Sequence, residues 1–284
     1  MTHPDRAEGR TAVITGATGG IGLEAAVMLA RQGITLIIVG RNSERIEAAL
    51  AEIRRRAAGA TVSALKADLS SQAEVRQLAS DILVAAPRLD LLINNAGGVH
   101  ARRTITPDGI EATFAVNHLA PYLLTRLLLD RMVASAPARI VTVASHAHFH
   151  GTLDLDDYGY ANGYRIIRAY TRSKLCNVLF SRELARRLEG SGVTANAMHP
   201  GTIATDIWSG APVWARPVLA VAKRVMMEAP AVGGERITWL ATSPEVAGVT
   251  GRYFERNRDV PPSVLARDDA MAKELWELSA RLVG

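Results

Sequence analysis

Short apolar runs alternate with amphipathic stretches along this chain. Thr11–Thr15 is an apolar run ending at glycines, and Gly22–Arg31 follows with Leu23, Ala26, Val27 and Ala30 on one helical face before Gly33. Thr35–Val39 is continuously apolar, as in a strand covered on both faces. The pattern then predicts a helix over Ser43–Arg56 with Ser43 as N-cap, a weaker strand over Thr61–Lys66, a helix over Gln72–Ala85 and a strand over Leu89–Ile93. A long helix over Gly109–Val133, kinked at Pro121, leads to a strand over Arg139–Val143. A second long helix spans Tyr164–Leu188, then a strand Thr194–Met198, a helix Ala231–Thr242 and a last strand Val249–Phe254. Alternation without a dividing linker predicts one α/β domain over residues 1–284, a doubly wound parallel sheet with helices on both faces.

Two stretches break the alternation. His146–Gly163 is polar and rich in His, Asp, Gly and Tyr; Thr202–Pro230 carries Trp208, Trp214, Met226 and Met227 among prolines. Long irregular segments in compact domains usually serve function, and residues 202–230 are read as a lid over the substrate. Within it Ala211–Ala222 is apolar apart from Arg216, so an interfacial membrane helix and plain core packing stand as alternatives.

Composition narrows the class. With 48% hydrophobic and 21% charged residues, intrinsic disorder is excluded as the main state. The lone Cys176 excludes an internal disulfide and a thiolate zinc site, and is expected to be buried and inert. No apolar run approaches the ~20 residues of a spanning helix, and residues 1–10 lack the apolar core of a secretory signal, so a soluble, cytoplasmic protein is expected. The net charge of +5 is spread over scattered basic residues and aromatics are few, which argues against nucleic acid as a partner. His146, His148, His150 and His199 lack a companion carboxylate set, so no metal is expected; they read as a polar loop at a pocket mouth.

Three features carry chemistry. Gly16, Gly20 and Gly22 lie between a strand and a helix, where glycine lets the backbone approach a pyrophosphate and the helix N-terminus favours its charge. The second strand ends in Gly40-Arg41 with no acid to take a ribose 2′-hydroxyl; Gly40 leaves room and Arg41 can fork onto a 2′-phosphate, so NADP(H) is expected over NAD. Tyr170 and Lys174, at i and i+4, share a helix face, and a nearby cation lowers a phenol's pKa. Only four cations are Lys (Lys66, Lys174, Lys223 and Lys273), which hints that position 174 needs lysine.

Taken in order, the Gly16/Gly20/Gly22 turn, Asp68-Leu69, Asn94-Asn95-Ala96-Gly97, Asn117, Ser145, Tyr170/Lys174 and Pro200-Gly201 resemble the short-chain dehydrogenase/reductase family over essentially the whole chain. Asp108-Gly-Ile-Glu111, Val116-Asn-His-Leu-Ala120, Ser173–Phe180 and His199-Pro-Gly201 resemble its retinol-dehydrogenase-like branch. The resemblance implies a single-domain Rossmann fold and an oxidoreductase moving a hydride between NADP(H) and an apolar aldehyde, ketone or alcohol. It implies Tyr170 as proton donor or acceptor, Lys174 on the nicotinamide ribose, Ser145 on the substrate carbonyl, and Asn117 anchoring a relay water. Gly16, Thr18, Gly20, Ile21, Gly22 and Arg41 would hold the phosphates. Asp68 and Leu69 would line the adenine pocket, and Asn95, Ala96 and Gly97 the adenosine ribose. Pro200, Gly201, Ile203 and Thr205 would face the carboxamide. Relative to the shortest family members, extra residues separate Ser145 from Tyr170, which the resemblance links to pocket or oligomer shape. An N-terminal membrane anchor like that of the animal retinol dehydrogenases is not expected here, which weakens the transfer of a retinoid as substrate from that resemblance. Family members often form homo-oligomers through helices like Gly109–Val133 and Tyr164–Leu188. The rival reading is a non-catalytic NADP-binding sensor or scaffold; a different family reaction, epimerisation or double-bond reduction, is a third.

Overall fold

The computed structural model describes residues 9–201 and 228–284. Its strands are β1 (Thr11–Thr15), β2 (Thr35–Gly40), β3 (Val62–Lys66), β4 (Leu91–Asn94), β5 (Ala138–Val143), β6 (Val193–His199), β7 (Tyr253–Glu255) and β8 (Arg258–Asp259). They form one sheet in the order β3-β2-β1-β4-β5-β6-β7-β8, parallel up to β7, with β8 antiparallel at the edge. The chain winds outward from β1 in one direction and from β4 in the other. Their C-terminal ends therefore flank the crevice in which such sheets bind ligands.

The helices are α1 (Gly20–Arg31), α2 (Ser43–Arg56), α3 (Gln72–Ala85), α4 (Ala112–Phe114), α5 (Ala120–Ala134), α6 (Ile166–Arg187), α7 (Pro230–Thr242) and α8 (Asp269–Val283). Strand residues alternate between two apolar layers. Ala12, Ile14, Leu36, Ile38 and Ile93 pack with α1, α2 and α7. Val13, Ile37, Val39, Leu92 and Ile140 pack with α3, α5, α6 and α8. Burial on both faces explains why these strands read as unbroken apolar runs.

Several boundaries differ from the sequence reading, each for a local reason. Asn42, not Ser43, caps α2, its Oδ1 accepting from the Arg45 amide at 2.9 Å. β4 starts at Leu91, because the Leu89 amide is spent on Ser135 Oγ at 3.0 Å. The last parallel strand shrinks to Tyr253–Glu255, since Gly248 and Gly251 both take positive φ ahead of it. Arg256 and Asn257 are left-handed as well, which turns a tight hairpin into β8. Pro121 does not kink a helix interior. A π turn over Ala115–Leu119 separates α4 from α5 and leaves Pro121 in the first turn of α5, where its missing N–H costs least. Helix α8 was not foreseen, although its signals are legible: Asp268 caps it, accepting from the Met271 amide at 3.0 Å, and Ala272, Leu275 and Ser279 share its buried face. It lies against the two helices through which family resemblance suggested dimerisation. Trp276 meets Tyr122 of α5 edge-on at 4.9 Å and stacks on Phe180 of α6 at 6.0 Å. Among the described residues no helix is long and apolar enough to cross a membrane.

Candidate active site

The glycine-rich turn stands at the C-terminal end of β1. Gly16 and Gly20 have φ of 68° and 56°, in the left-handed region. A Cβ on Gly22 would lie 2.5 Å from both the Gly16 carbonyl and Asn95 Nδ2. Asn95 ties the turn to β4, donating Nδ2 to the carbonyls of Thr15 at 2.8 Å and Gly16 at 3.1 Å. Thr15 Oγ1 accepts from the amides of Asn95 and Ala96. Helix α1 has no side-chain cap and no acid in its first turn, so its leading amides are not taken by the chain's own carboxylates. Asn95 Oδ1 is buried without a partner. This narrow backbone cradle and the uncapped helix start suit a dinucleotide pyrophosphate, and the unspent Asn95 acceptor suits a donor such as a ribose hydroxyl, so the residues present fit a nicotinamide cofactor. Thr18 and Ile21, half-buried, complete the turn.

Arg41 is exposed directly after β2. The expected room at Gly40 is already taken: a Cβ there would lie 2.5 Å from Thr18 Cγ2 and 3.1 Å from Ile46 Cγ1. Sequence reading missed a second cation. Arg45, in the first turn of α2, brings Nη2 within 3.1 Å of where a Cβ on Gly19 would stand, beside the turn. Asp68, which the resemblance assigns to the adenine pocket, has Oδ1 accepting from the Ser70 amide at 2.9 Å. Leu69 turns partly into the apolar layer, lining a hollow with Val75, Ile110 and Leu119.

Ser145, Tyr170, Lys174 and Asn117 converge across the C-terminal edge of β4 and β5. Helix α6 is buried without a break from Ala169 to Ser181, between the sheet and α8. Tyr170 hydrogen-bonds Ser145 through their side chains. The Lys174 ammonium lies 5.8 Å from the Tyr170 ring centroid and donates to the Val143 carbonyl at 2.9 Å. A Cβ on Gly97 would stand 3.3 Å from both Lys174 Nζ and Asn117 Oδ1, so β4's extension, α6 and the π turn meet there. The Asn117 amide is fully committed: Nδ2 donates to the Gly98 carbonyl and to Ser173 Oγ, both at 2.9 Å, and Oδ1 accepts from the Gly98 amide. Pro121, four residues on, has no N–H to give the Asn117 main-chain carbonyl.

Burial governs the charges. It holds Lys174 down to about 8, so the amine still carries its proton at neutral pH. The sequence predicted that Lys174 would lower the Tyr170 pKa. The structure has the opposite net direction: burial raises it, and the Ser145 hydrogen bond pulls down less. The phenol is therefore held protonated. Cys176, buried, is pushed up to about 12 and is inert, as the sequence indicated.

The histidines do not gather round a metal; among the described residues no group of three or more His, Cys, Asp or Glu could hold one. His146 Nδ1 pairs with Glu255 Oε1 at 3.0 Å. Pro200 is buried, and its carbonyl accepts from Arg236 Nη1 at 2.7 Å, while the same guanidinium pairs with Glu228 at 2.7 and 2.8 Å. Arg236 thus ties the turn after β6 to α7, another role without a sequence signal. Gly201 takes φ of 113°. Ile203, Thr205, Trp208, Trp214, Met226, Met227 and the apolar stretch 211–222 lie outside the described residues, and with them nearly all of the expected lid.

A doubly wound sheet with a dinucleotide cradle at its switch point, and a Ser, Tyr and Lys beside it, defines a nucleotide-dependent α/β enzyme class. The family model for short chain dehydrogenase matches residues 10–214, and the chain belongs to that family. It is 41% identical over 281 residues to human retinol dehydrogenase 13, covering 97% of this chain and 85% of that one. It is 38% identical over 279 residues to the provisionally named daunorubicin C-13 ketoreductase DnrU of Streptomyces sp. (strain C5), covering 97% and 93%. Among solved structures, an uncharacterised protein from Mycobacterium paratuberculosis superposes with a TM-score of 0.79 at 33% identity, covering 98% of this chain and 95% of that one. The Pseudomonas aeruginosa RhlG/NADP active-site complex gives 0.71 at 26% identity, covering 89% and 97%. These relatives place the chain in the retinol-dehydrogenase-like branch, among oxidoreductases acting on alcohols and carbonyls.

Proposed function

We propose that this chain is an NADP(H)-dependent oxidoreductase that interconverts an apolar carbonyl compound and its alcohol. The observation that carries the reading is the side-chain hydrogen bond between half-buried Ser145 and buried Tyr170, with the Lys174 ammonium 5.8 Å from the phenol ring. Hydride is what the bound nicotinamide supplies or accepts. In reduction, Ser145 and Tyr170 direct their hydroxyls at the carbonyl oxygen and stabilise the charge that grows there. The Tyr170 O–H bond breaks, and its proton goes to that oxygen. Because burial keeps the phenol protonated at neutral pH, it is ready to act as the acid. The phenolate left behind faces the Lys174 ammonium, which stabilises it and can return a proton by way of water at the Asn117 carbonyl. Oxidation reverses these steps.

Arg41 and Arg45, near the end of β2, support the choice of NADP(H), and so does the RhlG/NADP neighbour. The relatives' names, a retinol dehydrogenase and a daunorubicin C-13 ketoreductase, support a carbonyl or alcohol of apolar character. An NADPH-oxidation screen over apolar aldehydes, ketones and retinoids tests the reading. Tyr170→Phe should cut kcat by ~10²–10⁴-fold while NADPH still binds. Unchanged turnover in a folded Tyr170→Phe variant would remove the phenol from the mechanism.

A further inference from the structure

We propose that His148 is a positioning residue for Ser145: its neutral imidazole, held between the Ser145 carbonyl and the Ser263 amide, sets the direction of the Ser145 hydroxyl. The proposal rests on Ser145 contacting the substrate oxygen, as argued above.

His148 sits in the short 3₁₀ turn His146–His150 that directly follows Ser145, and it is fully buried. Its Nδ1 is 2.8 Å from the Ser145 carbonyl, and its Nε2 is 3.1 Å from the Ser263 amide. A carbonyl only accepts and an amide only donates. Nδ1 must therefore carry the hydrogen and Nε2 the lone pair, which leaves one tautomer and no charge. Burial also disfavours the protonated ring. Both the main-chain amide of His148, at 3.0 Å, and its side chain donate to the same Ser145 carbonyl. That peptide is thereby fixed in the plane from which the Ser145 side chain projects.

The imidazole joins elements far apart in sequence. The Ser263 contact crosses 115 residues to the segment between β8 and α8. The ring edge meets Tyr253 of β7 at a centroid distance of 4.6 Å. On the far side, Gly151 ends the turn against α6: a Cβ there would be 2.7 Å from the Thr171 carbonyl and 2.8 Å from Leu175 Cβ. The turn carrying His148 is thus wedged between Ser145 and the helix that carries Tyr170 and Lys174. His146 and Glu255 are the titratable groups that act on the ring. A residue holding Ser145 at one end and α6 at the other controls the distance over which Ser145 and Tyr170 must share one substrate oxygen.

The test compares His148→Phe, which removes both ring contacts, with His148→Asn, whose amide can still donate to the Ser145 carbonyl. With NADPH and a substrate turned over by the unmodified chain, His148→Phe should lower kcat about tenfold or more, the worth of one oriented hydrogen bond, with the NADPH Kd unchanged. His148→Asn should recover much of that loss. In a Ser145→Ala background, His148→Phe should add less than about a twofold loss, because what it positions is gone. The nitrogen-15 shifts of His148 should report the neutral Nδ1–H tautomer near pH 6, independently of turnover. Wild-type kcat in a folded His148→Phe chain, equal losses in Phe and Asn, additive losses with Ser145→Ala, or an Nε2–H tautomer would each overturn the proposal. If the unmodified chain turns over no carbonyl, the functional reading fails and the role of His148 falls with it; if only the His148 arms fail, the functional reading stands.

Discussion

Cofactor choice should be set by two guanidiniums rather than one. A 2′-phosphate carries up to two negative charges and three acceptor oxygens; Arg41 follows β2 directly, and Arg45, in the first turn of α2, brings its guanidinium beside Gly19. Both side chains face solvent. Water and salt screen them, so each contact belongs at the low end of the charge-assisted range, about tenfold in affinity. Arg41→Ala should therefore lower kcat/KM for NADPH about tenfold, Arg41→Ala with Arg45→Ala about a hundredfold, and neither should change kcat/KM for NADH by more than about threefold. The preference should narrow as salt is raised past ~0.1 M, where the screening length falls below ~10 Å. The simplest route to a reversed preference, Gly40→Asp, is expected to fail in this chain. Its Cβ would stand 2.5 Å from Thr18 Cγ2, in the turn itself, so both cofactors should bind worse. Steady-state kinetics with each cofactor, over a salt series, measure all of this. A wild-type preference for NADH, or a full NADPH preference in the double variant, would refute the reasoning.

Lys174→Met should abolish turnover yet stabilise the fold near neutral pH. The unfolded chain binds this proton below 10.5 and the folded chain only below about 8. Stability contributed by this site thus rises with pH between those values, and below about 8 the folded state bears the full cost, on the order of 3 kcal/mol. Melts should show the gain at pH 7 and its loss near pH 10; a Met variant less stable at pH 7 would contradict this. Trp276→Ala should cost about 2–4 kcal/mol, since the partly buried indole packs on Tyr122 and Phe180, and denaturant midpoints would show it. With α8 seated on α5 and α6, the full chain should sediment as a monomer and the Trp276→Ala chain should self-associate; a dimer of the unmodified chain would show that another face pairs.

What the sequence determined by itself was everything carried by local pattern. Unbroken apolar strands between amphipathic helices implied a parallel sheet covered on both sides, because only burial on both faces removes alternation from a strand. Glycines between β1 and α1 implied a tight backbone approach, because a side chain at Gly22 meets backbone 2.5 Å away. Spacing put Tyr170 and Lys174 on one face of a helix. Tertiary structure decided what depends on partners distant in the chain. Burial of α6 on all sides raised the Tyr170 pKa, where the nearby cation alone pointed downward. Thr18, packed back on β2, filled the space at Gly40. Ser263, 115 residues from His148, turned a histidine read as loop into a buried link behind Ser145. Pattern is read within a turn or two of chain, whereas desolvation and hydrogen-bond partners are set by whichever elements the fold brings together.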